Sequence, residues 1–146
     1  LRPRSRAHIR LKSPDAVVPP GITLNYLSTE GDRRVAVEGI RFTRRIMSAP
    51  ALSKYRPTEL KPGSGLNNTE ELLHAAAELG TTIFHPVGTC KMGNDPMAVV
   101  NDRLLVHGIR GLRVIDASIM PRITSGNTNA PTVMIAEKGA TFIQEG

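Results

Sequence analysis

Two segments of the chain carry residues whose types and spacing suit chemistry. His85 follows the β-prone run Thr81-Thr82-Ile83-Phe84 and precedes Pro86, Val87 and Gly88. Its imidazole therefore stands on a rigid turn after an apolar stretch, where it can be aimed into a cleft. An imidazole exchanges protons near neutrality, which makes this residue a candidate general acid or base. A hydrogen-bonded histidine with a purely structural role fits the same pattern. The second segment, Thr124-Ser125-Gly126-Asn127-Thr128-Asn129, leads into a helix with Pro131 in its first turn. A helix start leaves backbone N–H groups unpaired and presents the positive end of the dipole. It stabilises phosphate or developing anionic charge, and Asn127, Thr128 and Asn129 add side-chain donors. A well-capped helix without chemistry accounts for the same residues. His8, His74 and His107 lie outside such contexts. The sequence has no His-x-x-x-His pair or Cys-His cluster, so no metal site is expected.

These residues must be positioned by the elements around them. Residues 8–11 alternate polar and apolar as a half-buried strand does, and a second extended stretch runs from Ile22 to Leu27. Thr29 with Asp32 three residues on has capping-box spacing, and apolar residues at Val35, Ile40, Phe42, Ile46 and Met47 predict an amphipathic, core-facing helix ending before Pro50. From Pro50 to Asn67 the chain has no periodicity and reads as a loop or lid. Asn68 and Glu71 then cap a second helix through Leu79, with Gly80 placed to end it. Residues 99–106 and 112–115 read as short strands separated by the turn His107-Gly108, and the last helix carries Val133, Ile135, Ala136, Ala140 and Ile143. Short strands mixed with about three helices predict an α+β fold with a mixed or antiparallel sheet.

Composition narrows the classes. The chain has 146 residues, 40% of them hydrophobic and 22% charged, so one ordinary globular domain is the default. Cys90 is the single cysteine, which excludes an intrachain disulfide and fits a packing role. No run of about 20 apolar residues occurs, which excludes a membrane span here, and the single cysteine fits a reducing compartment, so a cytoplasmic location is the expectation, with membrane association left open for a longer parent. A first residue of Leu1 rather than Met suggests a piece of something longer. The net charge of +6 is concentrated in Arg2, Arg4, Arg6, Arg10 and Lys12, which leaves the remainder almost neutral. A basic arm could bind a polyanion. Only five aromatics occur and none interleaves with the arm, which argues against nucleic acid.

Three motifs in order carry a resemblance. The segments Phe84-His85-Pro86-Val87-Gly88-Thr89-Cys90-Lys91-Met92-Gly93, Gly111-Leu112-Arg113-Val114-Ile115-Asp116-Ala117-Ser118-Ile119-Met120-Pro121 and Ser125-Gly126-Asn127-Thr128-Asn129-Ala130-Pro131-Thr132 closely resemble the carboxy-terminal part of glucose-methanol-choline (GMC) oxidoreductases. The opening Leu1-Arg2-Pro3-Arg4-Ser5-Arg6, with Pro20 and Asn25-Tyr26-Leu27-Ser28, extends the likeness over nearly the whole chain, towards choline-dehydrogenase-like and alcohol-dehydrogenase-like members.

The resemblance implies a flavoenzyme that oxidises a choline-like or primary alcohol to a carbonyl by hydride transfer to FAD. His85 matches the active-site histidine, and Asn129 the second active-site position, which holds the substrate oxygen. Asp116 and Ala117 match a stretch beside the cofactor, Pro131 and Thr132 the helix start under the flavin, and Asn127 lies in the same turn. The expected fold is then the substrate-side domain of FAD-linked oxidoreductases over residues 1–110. Residues 111–146 supply a strand and helix that complete the parent's FAD domain. One departure matters. The family's G-x-G-x-x-G fingerprint after a strand is absent, and Gly63-Ser64-Gly65 lacks the third glycine. The chain alone is therefore expected neither to hold FAD tightly nor to turn over. Without its amino-terminal FAD domain it should expose apolar surface and self-associate. A non-catalytic interaction module and a basic-arm polyanion binder are the alternative readings.

Overall fold

Local capping decides the helices. The computed structural model describes residues 2–146, so Leu1, the first residue of the opening match, lies outside the described residues. The elements are two short strands, β1 (His8–Arg10) and β2 (Gly21–Thr23), and three α-helices, α1 (Glu30–Met47), α2 (Thr69–Leu79) and α3 (Asn129–Gln144). Turns of 3₁₀ helix occupy Pro50–Tyr55 and Ala117–Ile119. The two strands pair antiparallel, so the fold is a small α+β mixture with far less sheet than the sequence suggests. Packing divides the chain into two compact units. One comprises the segment up to Pro3, His8–Ile22 and Ile83–Gly146; the other comprises Arg4–Ala7 and Thr23–Thr82.

The second unit is built on α1 and α2. Thr29 caps α1 by accepting from the Asp32 amide, as its spacing predicts, and α2 begins with a full capping box in which Asn68 accepts from the Glu71 amide and Glu71 reaches back. Val37, Leu72 and Ala75 are buried. The predicted core stripe of α1 is only partly realised: Val35 is 64% and Phe42 54% exposed, and Ile46 and Met47 are also exposed. Within this unit α1 packs chiefly on α2, a short helix that covers one narrow face. One side chain of α1 makes four bonds to the loop that follows it. Arg44 donates from Nε and Nη2 to the two carboxylate oxygens of Glu59 (2.9 and 2.8 Å), and to the carbonyls of Leu66 (2.8 Å) and Gly63 (3.0 Å). At the other end of the unit, the Asp32 carboxylate accepts from the Arg4 and Ser5 amides and from the Ser5 hydroxyl.

The first unit holds the larger core: Val100, Leu104, Ile119, Met120 and Ile135, with Met92, Val114, Ile115 and Phe142 packed against it. Along α3 the inward face runs Ile135, Gly139, Phe142, the spacing of one helix face. The strands expected at 99–106 and 112–115 are not formed. Only isolated bridges pair Met92 with Val100, Val100 with Val106, and Leu105 with Arg113. Asn101 is the cause: its side chain accepts from the Arg103 and Leu105 amides at 2.9 and 3.0 Å, and Leu104 takes φ 64°, so the chain turns where a strand would continue. Thr81–Phe84 is likewise not a strand, and Phe84 has φ 62°. The extended stretch expected from Ile22 to Leu27 stops at Thr23, with Asn25 and Leu27 at positive φ.

Candidate active site

Every residue singled out for chemistry lies in the first unit, and three segments of it meet. The histidine segment is pinned through its backbone. Gly88 and Cys90 both donate to the Ser118 carbonyl (3.0 and 3.1 Å), and Met92 donates to the Ile119 carbonyl (2.8 Å). Gly88 has φ 91°, and a Cβ there would stand 3.3 Å from the Met120 oxygen, so the position requires glycine. The partner strip is itself a 3₁₀ turn. Asp116 caps it, its carboxylate accepting from the Ser118 amide at 2.7 Å, and Ala117 is half-buried within it.

The third segment is the start of α3. His85 Nδ1 lies 3.0 Å from Thr128 Oγ1, a contact across 43 residues of sequence. Thr128 is the N-cap residue and only 7% exposed, while His85 is half-buried. With Nδ1 engaged, Nε2 is the ring nitrogen left for another partner. The Thr128 backbone is fixed in turn, its carbonyl accepting from the Thr132 hydroxyl (2.6 Å) and amide (3.0 Å). Pro131 and Thr132 are half-buried in the first turn, and Asn127 and Asn129 are exposed beside it. Among the described residues, no hydrogen bond ties the Asn127 or Asn129 side chain to the histidine or to Asp116.

Electrostatically α3 differs from the other helices. Both α1 and α2 carry two acids in the first turn, whereas α3 carries none and has no side-chain cap. The positive end of its dipole is left uncompensated, and the arrangement can stabilise negative charge beside an imidazole. Thr128 as the partner of His85 was not legible from spacing; its place directly before Asn129 in the helix-start motif is the only local signal. The glycines of Gly63-Ser64-Gly65 are accounted for by the loop, since Gly63 donates to Glu59 and accepts from Arg44.

An α+β unit that brings a histidine turn against an uncapped helix start agrees with the class of oxidoreductase that the three motifs resemble. The family model for GMC oxidoreductases matches residues 3–136, and the chain belongs to this family, as its carboxy-terminal part. It is 51% identical over 144 residues to an oxygen-dependent choline dehydrogenase of Klebsiella pneumoniae, covering 99% of this chain and 26% of that protein. Among solved structures, pyridoxine 4-oxidase from Mesorbium loti superposes with a TM-score of 0.90 at 35% identity, covering 99% of this chain and 28% of that one. An FAD-dependent oxidoreductase from Chaetomium thermophilum gives a TM-score of 0.93 at 30% identity, with 99% and 25% covered. The chain thus spans about a quarter of the length of the curated relatives it matches.

Proposed function

We propose that this chain supplies the substrate-facing part of an FAD-dependent oxidoreductase that converts the CH–OH group of a choline-like or other primary alcohol to the carbonyl. The observation that carries the reading is the 3.0 Å contact of His85 Nδ1 with Thr128 Oγ1, which seats the imidazole at the start of α3, next in sequence to Asn129. His85 takes the hydroxyl proton of the alcohol, and the Asn129 amide donates to the oxygen as it gains alkoxide character. Asn127, Pro131, Thr132, Asp116 and Ala117 face the cofactor. The uncapped, acid-free start of α3 suits the electron-rich edge of a flavin. When bound, FAD supplies the acceptor for the hydride that leaves the carbinol carbon. In the longer protein, residues 1–110 belong to the substrate side and residues 111–146 complete the FAD domain. Names of relatives support the substrate class: one acts on choline, another on pyridoxine.

The remainder of the longer protein holds most of the cofactor, so the isolated chain binds FAD weakly and does not turn over. Titration with FAD, followed by visible absorption, should give a saturable shift of the flavin bands without flavin copurifying in stoichiometric amount. Unshifted bands would remove the start of α3 from the cofactor surface. In an enzyme joining this segment to a dinucleotide-binding domain, His85→Ala should slow flavin reduction by about 100-fold or more. A loss of only a few-fold excludes His85 from proton transfer. Exposed Val35, Phe42, Ile46, Val133 and Met134 should make the isolated chain self-associate, and a monomer mass by light scattering at all concentrations would contradict that.

A further inference from the structure

A threonine at a helix N-cap ordinarily turns its hydroxyl back to accept from an amide of the first turn, with its own backbone extended. Thr128 does neither. It sits at φ −89° and ψ −2°, makes no side-chain capping hydrogen bond, and places Oγ1 3.0 Å from His85 Nδ1 instead. The residue is buried, and its backbone is locked by the two bonds from Thr132. On the opposite side, the histidine segment is locked by the amides of Gly88 and Cys90 on the Ser118 carbonyl. Two rigid pieces of backbone therefore meet through one side-chain pair, and the cap of α3 is given up to make it.

We propose that Thr128 is a positioning residue that accepts a hydrogen bond from Nδ1–H of His85, so that the neutral ring carries its proton on Nδ1 and presents the Nε2 lone pair. This rests on the reading of His85 as the proton acceptor, because only that tautomer leaves Nε2 able to take a proton. The hydroxyl of Thr128 accepts; it does not take part in the reaction. Without an acceptor at Nδ1, the ring is free to hold its proton on Nε2, where it can donate to the substrate oxygen but not deprotonate it.

The test is the ¹⁵N spectrum of histidine-labelled chain above the titration range of the ring, with His85 assigned by comparison with His85→Gln. The wild-type chain should show a pyrrole-type Nδ1 and a pyridine-type Nε2. Thr128→Val, which keeps the shape and removes the oxygen, should exchange the two signal types or mix them, and Thr128→Ser should restore the wild-type pattern. A wild-type ring protonated on Nε2 would overturn the assignment by itself, even if Thr128→Val failed to fold. A folded Thr128→Val chain with the wild-type pattern would overturn the role of the hydroxyl. The catalytic reading fails separately: Nδ1 protonation lost in Thr128→Val, together with flavin reduction indifferent to His85→Ala, keeps the positioning contact and removes the base.

Discussion

Gly139 sits on the buried face of α3, four residues after Ile135, and a methyl group added there meets one side chain. Its Cβ would overlap Ile115 Cγ2 and stand 2.8 Å from Cδ1 and 3.1 Å from Cγ1. Ile115 is β-branched and cannot swing Cγ2 away without changing χ1 or moving its backbone, and that backbone leads directly into Asp116 and Ala117. Relief of the overlap should cost about 1–3 kcal/mol, as overpacking generally does. Alanine in place of glycine recovers about 1 kcal/mol of helix propensity. Gly139→Ala should therefore be destabilising by about 1 kcal/mol, which at an m-value of about 2 kcal/mol/M lowers the urea midpoint by roughly 0.5 M. In an Ile115→Ala background the obstacle is gone, and the same change should raise the midpoint. Circular dichroism on the four chains gives the coupling energy, expected at about 1–3 kcal/mol. A higher midpoint for Gly139→Ala in the unmodified chain, or equal shifts in both backgrounds, would refute the packing argument.

Two further outcomes follow from the second unit. Asn68→Ala removes the acceptor for the Glu71 amide and should cost about 1 kcal/mol, with Asn68→Ser recovering most of it, read from urea midpoints. At Asp32, burial favours the neutral acid, but the Ser5 hydroxyl, the Arg4 and Ser5 amides and the Thr29 hydroxyl outweigh it and hold the carboxyl well below the usual carboxylate range. A depressed folded value adds stability that is fully present above about pH 4, the ordinary range of the unfolded carboxyl, and is lost as pH falls below it. Thermal midpoints from pH 6 to pH 3 should fall, less steeply in Asp32→Asn; equal slopes would exclude Asp32 as a source.

The helices were legible because their ends are written in neighbouring residues. Thr29 with Asp32, Asn68 with Glu71, and Pro131 each act within one turn, and the structure uses all three positions in helix starts. The strands were not, since apolar runs at 99–106 and 112–115 are consistent with strands until the side chain of Asn101 competes for the backbone. The pair Asn101-Asp102 is the local turn signal inside that run. Of the candidate site, the motifs name His85 and the start of α3 separately, but the junction of the two through Thr128 depends on tertiary placement over 43 residues. The amphipathic pattern of α1 predicts a helix and the helix forms, yet most of its apolar face is exposed, because periodicity reports that a face is apolar and not what covers it.

The clamp at residue 44 sets a limit on which sequences can keep the loop after α1. Its guanidinium reaches a carboxylate and two carbonyls at once, from Glu59, Gly63 and Leu66. Lysine at this position would preserve the charge, yet an ammonium is a point donor on a flexible stem and lacks the planar fork that spans those acceptors. A substitution that conserves charge would thus loosen this stretch and speed trypsin cleavage at its Lys54–Tyr55 bond, Arg56 and Lys61 each being followed by proline. What position 44 demands of a side chain is therefore a fork of donors at fixed angles, and a positive charge alone does not meet it.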